Sequence, residues 1–520
     1  MAQSGAGPRN PRGDSDEVPG APGRAESATL ERANVGGMDG PAGEAPAELV
    51  SAGPMNDGPK GEGPQAQPGT AELAKRAAGV EVELPAELGA GGLTLANPGD
   101  LGLPERRARR ESALASLQIA RFVLDRSGGK RSRDPADPGD QIPTYMLRER
   151  EIRSQVAEQF GGTEESEQSV ELGLAFLARV QKPDGSWTLH NWPGEPRGDQ
   201  ALSARNRRNS ETAGTGLALL AFLGAGYDHT DGPYQQVVKR GLDWLVRKQK
   251  EDGDLFTGGD DPEIRMYAHG IAAIPLCEAF AMSRDPALQD PVRKALQFTL
   301  RAQDLKWGGW RYQPGRQADT SVTGWQMMSL KSGELSGFGV PPTAYEGVTK
   351  WLDFAARGPE GNRLSRYAYL PATNAREESD RIPNPAMTAE SLLMRLYLGW
   401  DRKHPALQSG ADYLMQNLPP RSLSEQGRRD CYYWYYGTQV MYQMQGKHWK
   451  AWNERLRPLL VDSQVKAGAL AGSWEPRGDK WGEQGGRLYV TCMHLLMLEV
   501  YYRHLPLFRL DDSPEAAAAR

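Results

Sequence analysis

The chain has 520 residues, 62 of them Lys or Arg and 67 Asp or Glu, for a net charge of −5. That balance excludes a global nucleic-acid footprint. Three cysteines without CxxC spacing exclude a disulfide framework and favour a reducing compartment. No run of eighteen apolar residues predicts a transmembrane helix.

Residues 1–104 read as a disordered arm. The first hundred residues hold 19 Gly and 12 Pro and no Phe, Trp or Tyr, so they cannot bury enough surface to offset chain entropy. The N-terminus, MAQSGAGPRN, lacks the apolar core of a signal peptide, and the expected location is cytoplasmic. Residues 105–160 read as a helical linker. It opens with Arg106, Arg107, Arg109 and Arg110 on a stretch reaching about Asp125, where Leu114, Leu117 and Val123 are sparse apolar positions. A basic amphipathic helix can rest on an anionic membrane, although a solvated helix is the commoner reading. Ser127 to Ile142 is polar, and a further helix from about Tyr145 to Phe160 leads through Gly161-Gly162 into the repeats.

From 161 to 508 helical periodicity dominates. Six helices carry a one-sided apolar stripe: Val170/Leu174/Leu177, Val238/Leu242/Leu245, Val292/Leu296/Leu300, Val348/Leu352/Ala355, Leu407/Ala411/Leu414 and Trp452/Leu456/Leu459. Between and after them run segments apolar on more than one face, near Glu211–Leu223, Tyr267–Ala281, Thr320–Leu330, Met387–Leu398, Cys431–Tyr442 and Leu488–Tyr501. A stripe marks an outer helix, and an all-round apolar segment marks one buried on all sides. Six alternating pairs predict an all-α, closed (α/α)6 toroid of two concentric layers, with 509–520 as a flexible tail.

A short segment punctuates the pairs. QKPDGSW (Gln181–Trp187) is echoed by QKEDGDL (Gln249–Leu255), QDLKWGGW (Gln303–Trp310) and the stretch Gln464–Trp474 ending in Gly-Ser-Trp. Gly185 and Gly253 are expected to take the left-handed conformation that ends a helix. The tryptophan then folds back across neighbouring helices.

These Q-x-x-x-G-x-W segments and six helix pairs resemble the toroid of squalene and hopene cyclases and protein prenyltransferase β-subunits. The nearest likeness is to bacterial proteins carrying prenyltransferase and squalene-oxidase repeats, and it rests on Asp319–Ser332, Cys431–Met444 and Gly486–Pro506. The resemblance implies a cavity at the inner-helix N-terminal ends that holds an isoprenoid chain.

The chemistry of that superfamily is only partly matched. Where such cyclases carry the acid motif D-x-D-D, this chain reads Arg316-Gln317-Ala318-Asp319, with Ala318 at the position of the proton donor. Asp319 fits a helix N-cap better than a lone catalytic acid. Asp260-Asp261-Pro262-Glu263 lacks the third Asp of a magnesium-diphosphate motif and reads as a solvated loop. The zinc ligands of the prenyltransferases map to Asp430 and Cys431, one residue too close, and to Val490 in place of His. His494, about one turn on, is either a displaced ligand or, more commonly, a hydrogen-bonded core histidine. No metal and no cofactor is expected.

Helix phase and repeat position direct Glu211, His269, Ser321, Trp325, Glu390, Tyr432, Trp434, Tyr489 and His494 toward the central cavity. Aromatic faces there suit a carbocation or prenyl chain, and equally well pack a ring of helices. Asp319 and Glu390 are the weak catalytic candidates. The expectation is therefore a toroid binding an isoprenoid-like or other hydrophobic small molecule, or a peptide, without the standard catalytic signature; a partner protein fits the same reading. The alternative is an active, divergent terpenoid cyclase or prenyltransferase.

Overall fold

The computed structural model describes residues 144–200, 208–257, 262–370, 378–422 and 429–504. The expected arm, the Arg-rich helix, the acidic pair Asp260-Asp261 and the tail lie outside the described residues.

Twelve helices alternate between two layers. The outer ones are α2 (Glu164–Arg179), α4 (Gln235–Lys248), α6 (Pro286–Arg301), α8 (Pro342–Ala355), α10 (Pro405–Met415) and α12 (Gly446–Ser463). The inner ones are α3 (Glu211–Gly224), α5 (Arg265–Ser283), α7 (Thr320–Leu335), α9 (Pro385–Tyr397), α11 (Cys431–Met444) and α13 (Gly482–Leu498). They follow α1 (Arg150–Gln159), and the single turn α14 (Val500–Arg503) closes the described chain. Each inner helix packs against the next, and α13 returns to α3 while α12 and α13 meet α2, so the ring closes as an (α/α)6 toroid. Among the described residues there is no β-strand, only isolated bridges such as Trp310 with Asp319.

The layers follow from the patterning. In α4 only Val238, Gly241, Leu242, Trp244 and Leu245 are buried, one face of the helix. In α3 every residue from Thr212 to Gly224 is buried, because an inner helix has neighbours on every side. Side-chain caps start four inner helices: Ser210 accepts from Ala213 N, Asp319 from Val322 N, Asn384 from Met387 N and Asp430 from Tyr433 N. Gly486, at φ +77°, breaks the first turn of α13 from the regular helix that follows.

The recurring glutamine is the clamp between pairs. Gln181 Nε2 donates to Gly185 O (2.9 Å) in its own turn and to Val237 O (2.9 Å) at the start of the next outer helix. Gln249 does the same with Gly253 and Pro291, and Gln303 with Gly308 and Ala344. Gln464 bridges Gly472 O (3.1 Å) to Ser169 O (2.8 Å) on α2, which joins the last pair to the first. Trp187, Trp310 and Trp474 each donate Nε1 to a carbonyl of the preceding outer helix: Leu177, Thr299 and Leu460.

The glycine of this segment does more than the sequence reading assigned to it. Gly185 and Gly253 do take positive φ, +97° and +90°. They do not end the helices, however, since α2 stops at Arg179 and α4 at Lys248. A Cβ at Gly185, Gly253, Gly308 or Gly472 would overlap the backbone carbonyl of Arg240, Lys294, Gly347 or Leu172 respectively. The residue is glycine because the turn lies directly on the next outer helix.

Residues 144–160, expected as the end of a linker, pack into the toroid. Leu147, Ile152, Val156 and Ala157 are buried. Arg148 donates to Glu278 Oε2 (2.7 Å) and to Leu223 O, and Arg503 donates to Glu278 Oε1 (2.8 Å). Arg153 pairs with Glu167 (2.9 Å) and reaches Ala225 O. This ion cluster lies where the inner helices α3 and α5 end. No helix among the described residues is long and apolar enough to cross a membrane.

Candidate functional site

At the opposite end, where the inner helices begin, Leu189, Ala213, Leu217, Ile264, Tyr267, Ile271, Tyr432, Trp481 and Tyr489 line a cavity of about 70 Å³. Small-molecule sites usually enclose about 300–1,000 Å³. A cavity of about 150 Å³ holds a benzene-sized guest. Among the described residues, aromatic side chains occupy part of the space between the inner helices. Trp325 stacks on Tyr435 at 5.8 Å and 10° and meets Tyr436 edge-on, while the Tyr435 hydroxyl donates to Met328 Sδ.

Of the nine predicted cavity residues, only Tyr432 and Tyr489 line the cavity. Glu211 is half-buried and pairs with Lys182 on the loop before it, away from the bore. His269 faces the outer layer: its Nδ1 accepts from Leu255 N (3.2 Å), its Nε2 bonds Thr299 Oγ1 (3.0 Å), and its ring lies on Phe298. Burial lowers its pKa to about 4, so the ring is neutral. Helix phase misled here because an inner helix presents a polar side chain as readily to the outer layer as to the bore. Trp434 stacks on His494 at 6.3 Å, and Trp474 meets the same imidazole edge-on at 5.3 Å. Both ring nitrogens of His494 are buried without a hydrogen-bond partner, and burial, helped by Arg429, lowers its pKa to about 3.

Beside the cavity, Ser321, Tyr432 and Glu390 form a hydrogen-bonded chain that crosses three inner helices. Ser321 Oγ lies 2.5 Å from Tyr432 Oη, and Tyr432 donates to both Glu390 oxygens at 3.2 and 3.3 Å. Glu390 packs flat on Gly324 of α7, where any Cβ would overlap its carboxyl. Burial pushes the Glu390 carboxyl well above the usual range. The hydroxyls of Tyr436 and Tyr432 offset only part of that, and Asp319 pushes it further up. Burial thus biases Glu390 toward its protonated form, one hydroxyl away from the cavity wall. Asp319 is fully buried and caps α7, its Oδ1 accepting from Val322 N at 2.7 Å.

The zinc comparison resolves into separate structural roles. Asp430 caps α11, while Cys431 donates its thiol to Asp479 Oδ1 (3.4 Å) and its backbone N to Asp479 Oδ2. Burial, with Asp479 and Asp430 adding to it, holds that thiol far above its usual range. Among the described residues no group of three or more His, Cys, Asp and Glu is placed to hold a metal ion.

The residues that line the cavity and escaped the sequence reading are mostly apolar: Leu217, Ile264 and Ile271, with Tyr267 and Trp481. Their only signal was spacing, since Ile264, Tyr267 and Ile271 recur about one turn apart. In a segment apolar all round, that spacing does not single out the bore face.

No family model matches the chain, and no curated protein matches it. Among solved structures it is similar to an inactive variant of the alpha-1,6-mannanase GH76A of Salegentibacter sp. HEL1_6 in complex with alpha-1,6-mannotriose. That likeness has 12% identity and a TM-score of 0.43, and covers 67% of this chain and 98% of that one. It is also similar to the type II terpene cyclase MstE from Scytonema, at 15% identity and TM-score 0.40, covering 65% and 98%. A novel alpha-amylase from Clostridium perfringens gives 10% identity and TM-score 0.41, covering 64% and 97%. No residue role passes from these chains to this one.

Proposed function

We propose that this toroid is a binding protein that takes a short apolar group, the end of an isoprenoid-like chain or an apolar peptide side chain, at the mouth of its inner ring. The cavity between α3, α5, α11 and α13 carries the reading. It is walled by Leu217, Ile264, Ile271 and Trp481, and its volume of about 70 Å³ suits a few carbon atoms. The aromatic side chains between the inner helices limit how much of a ligand enters, so the remainder of the molecule stays outside the ring.

Native mass spectrometry of the purified full chain, paired with lipid extraction, tests this. An apolar ligand recovered with the wild-type chain and lost from Leu217→Trp is the expected result. Equal recovery from both, or none from either together with no binding of added prenyl alcohols or apolar peptides, would remove the proposal.

The buried Glu390 supports a second reading, a divergent cyclase or prenyl-transfer enzyme. A carboxyl held by a cavity-lining tyrosine and biased by burial toward its protonated form is a candidate proton source. Incubation with squalene or a prenyl diphosphate, with and without Mg²⁺ or Zn²⁺, separates the two readings. Product that vanishes on Glu390→Gln or Asp319→Asn would favour the enzyme.

A further inference from the structure

A second concave surface lies on the outside of the ring, at the end opposite the apolar cavity. Val340, Pro342, Tyr345 and Leu398 floor a groove of about 440 Å³ between the end of α7 and the first turns of α8, with Glu334 and Glu346 on its rim. Leu335 stands beside it and is 54% exposed, one of the few large apolar side chains left in solvent among the described residues. The Glu334 carboxylate accepts from the Tyr345 hydroxyl (3.3 Å) and pairs with Lys331 (2.5 Å), and its side chain remains 41% exposed. An apolar floor between carboxylates selects a basic, amphipathic occupant.

The path of the chain supplies one. The described residues begin with a turn at Thr144–Arg148. In it the Tyr145 hydroxyl lies against Ser336, the residue that follows α7 and stands two positions from Glu334. The chain therefore leaves the ring beside this groove. Upstream come residues 126–143, and before them the stretch that opens with Arg106, Arg107, Arg109 and Arg110 and continues with Leu114 and Leu117. A connection of this length spans up to about 60 Å when extended, far more than the groove requires.

We propose that the Arg-rich segment 105–125 of this same chain docks in the groove. Its arginines meet Glu334 and Glu346, and its apolar positions cover Val340, Pro342 and Leu398. Tethering makes this shallow site sufficient, because a short connection raises the local concentration of the segment to the order of millimolar. The docked segment would also cover exposed Leu335.

Hydrogen–deuterium exchange on the full chain tests the proposal. In the first turn of α8 Pro342 has no N–H and Ala344 N donates to Pro341 O, so protection of the Thr343 amide, and slower opening of the turn as a whole, report a cover. Three chains are compared with wild type: R106E/R107E/R109E/R110E, E334R/E346R, and the combination of both. All the changed groove side chains reach solvent, so folding is not at stake. Either charge reversal alone should speed exchange over residues 342–349 by about tenfold, and the combination should restore protection.

Exchange over 342–349 that is identical in wild type and in the fourfold Arg variant would overturn the proposal. So would unchanged exchange accompanied by lost binding to phosphatidylserine vesicles, which would assign the arginines to a membrane. Protection that rises with protein concentration would assign the groove to a second copy instead.

Discussion

Glu278 and Glu390, buried at the two ends of the inner ring, have pKa values shifted in opposite directions. Where α3 and α5 end, Glu278 is fully buried but lies between the guanidinium groups of Arg148 and Arg503, at 2.7 and 2.8 Å. Burial pulls its pKa up, yet the two arginines outweigh that and hold it below the usual carboxylate range. At the mouth, Glu390 is also buried but has only hydroxyls for partners, and burial pushes its pKa well above the usual range. The direction of each shift follows the partners that a buried acid meets. The Glu278 ion pairs hold residues 144–160 to one end of the ring, while Glu390 is held at the other end by neutral hydrogen bonds.

Breaking the charged end should have the largest effect. Glu278→Ala strands two buried guanidiniums and is expected to lower stability by about 3–5 kcal/mol, read by denaturant unfolding. Protease sensitivity of residues 144–160 should rise with it, and an unchanged cleavage pattern would show that the ion cluster does not hold this segment.

Acid should test the neutral groups of the remaining ring. His269 and His494 fold with pKa values lowered from 6.5 to about 4 and about 3. Between those values and 6.5 the unfolded chain binds protons that the folded chain does not, so stability is lost as pH falls below about 6.5. Each histidine contributes on the order of 3 kcal/mol to that loss. His494→Phe should therefore flatten the Tm profile between pH 6.5 and 4, and a profile parallel to wild type would argue against a neutral His494.

At the mouth the expected changes are smaller and opposite in sign to those at the closed end. Glu390 has a raised pKa, so its contribution is fully present at low pH and is lost as pH rises through its folded value. Glu390→Gln keeps the shape and an acceptor for Tyr432 and cannot ionise, so its stability relative to wild type should rise as pH climbs above the usual carboxylate range. It should also raise Tm relative to wild type at alkaline pH. A loss as large as that of Glu278→Ala would mean that Glu390 is ionised and paired. Smallest of all, Tyr432→Phe removes one hydroxyl from the Ser321–Tyr432–Glu390 chain and should cost about 1 kcal/mol, measured in the same unfolding experiment.

The repeat was legible because its parts are local. The stripes on the outer helices and the Asp319 cap act within a few residues of their own position, and the Gln and Gly of each turn recur at the same place in several pairs, although they reach the next outer helix. The site was less legible. Glu211 and His269 were assigned to the bore, but Lys182 and Thr299 draw them to other layers. Tyr267 and Ile271 went unnoticed among equally apolar neighbours. Ser321, Tyr432 and Glu390 were each singled out, while their contact with one another, across 42 and 111 positions of chain, could not be inferred from spacing.

Periodicity and the repeated Q…G turn by themselves determined six helix pairs, their two layers and the closed ring, because a stripe of apolar groups must be buried and each turn fits only the next helix. Tertiary structure alone decided what the ring encloses. How far facing side chains interpenetrate depends on the distance between helix axes, so Trp325, Tyr435 and Tyr436 pack on one another between the inner helices and a small cavity lies at the mouth. The upward shift of Glu390 was decided the same way, by which neighbours the ring brought to it.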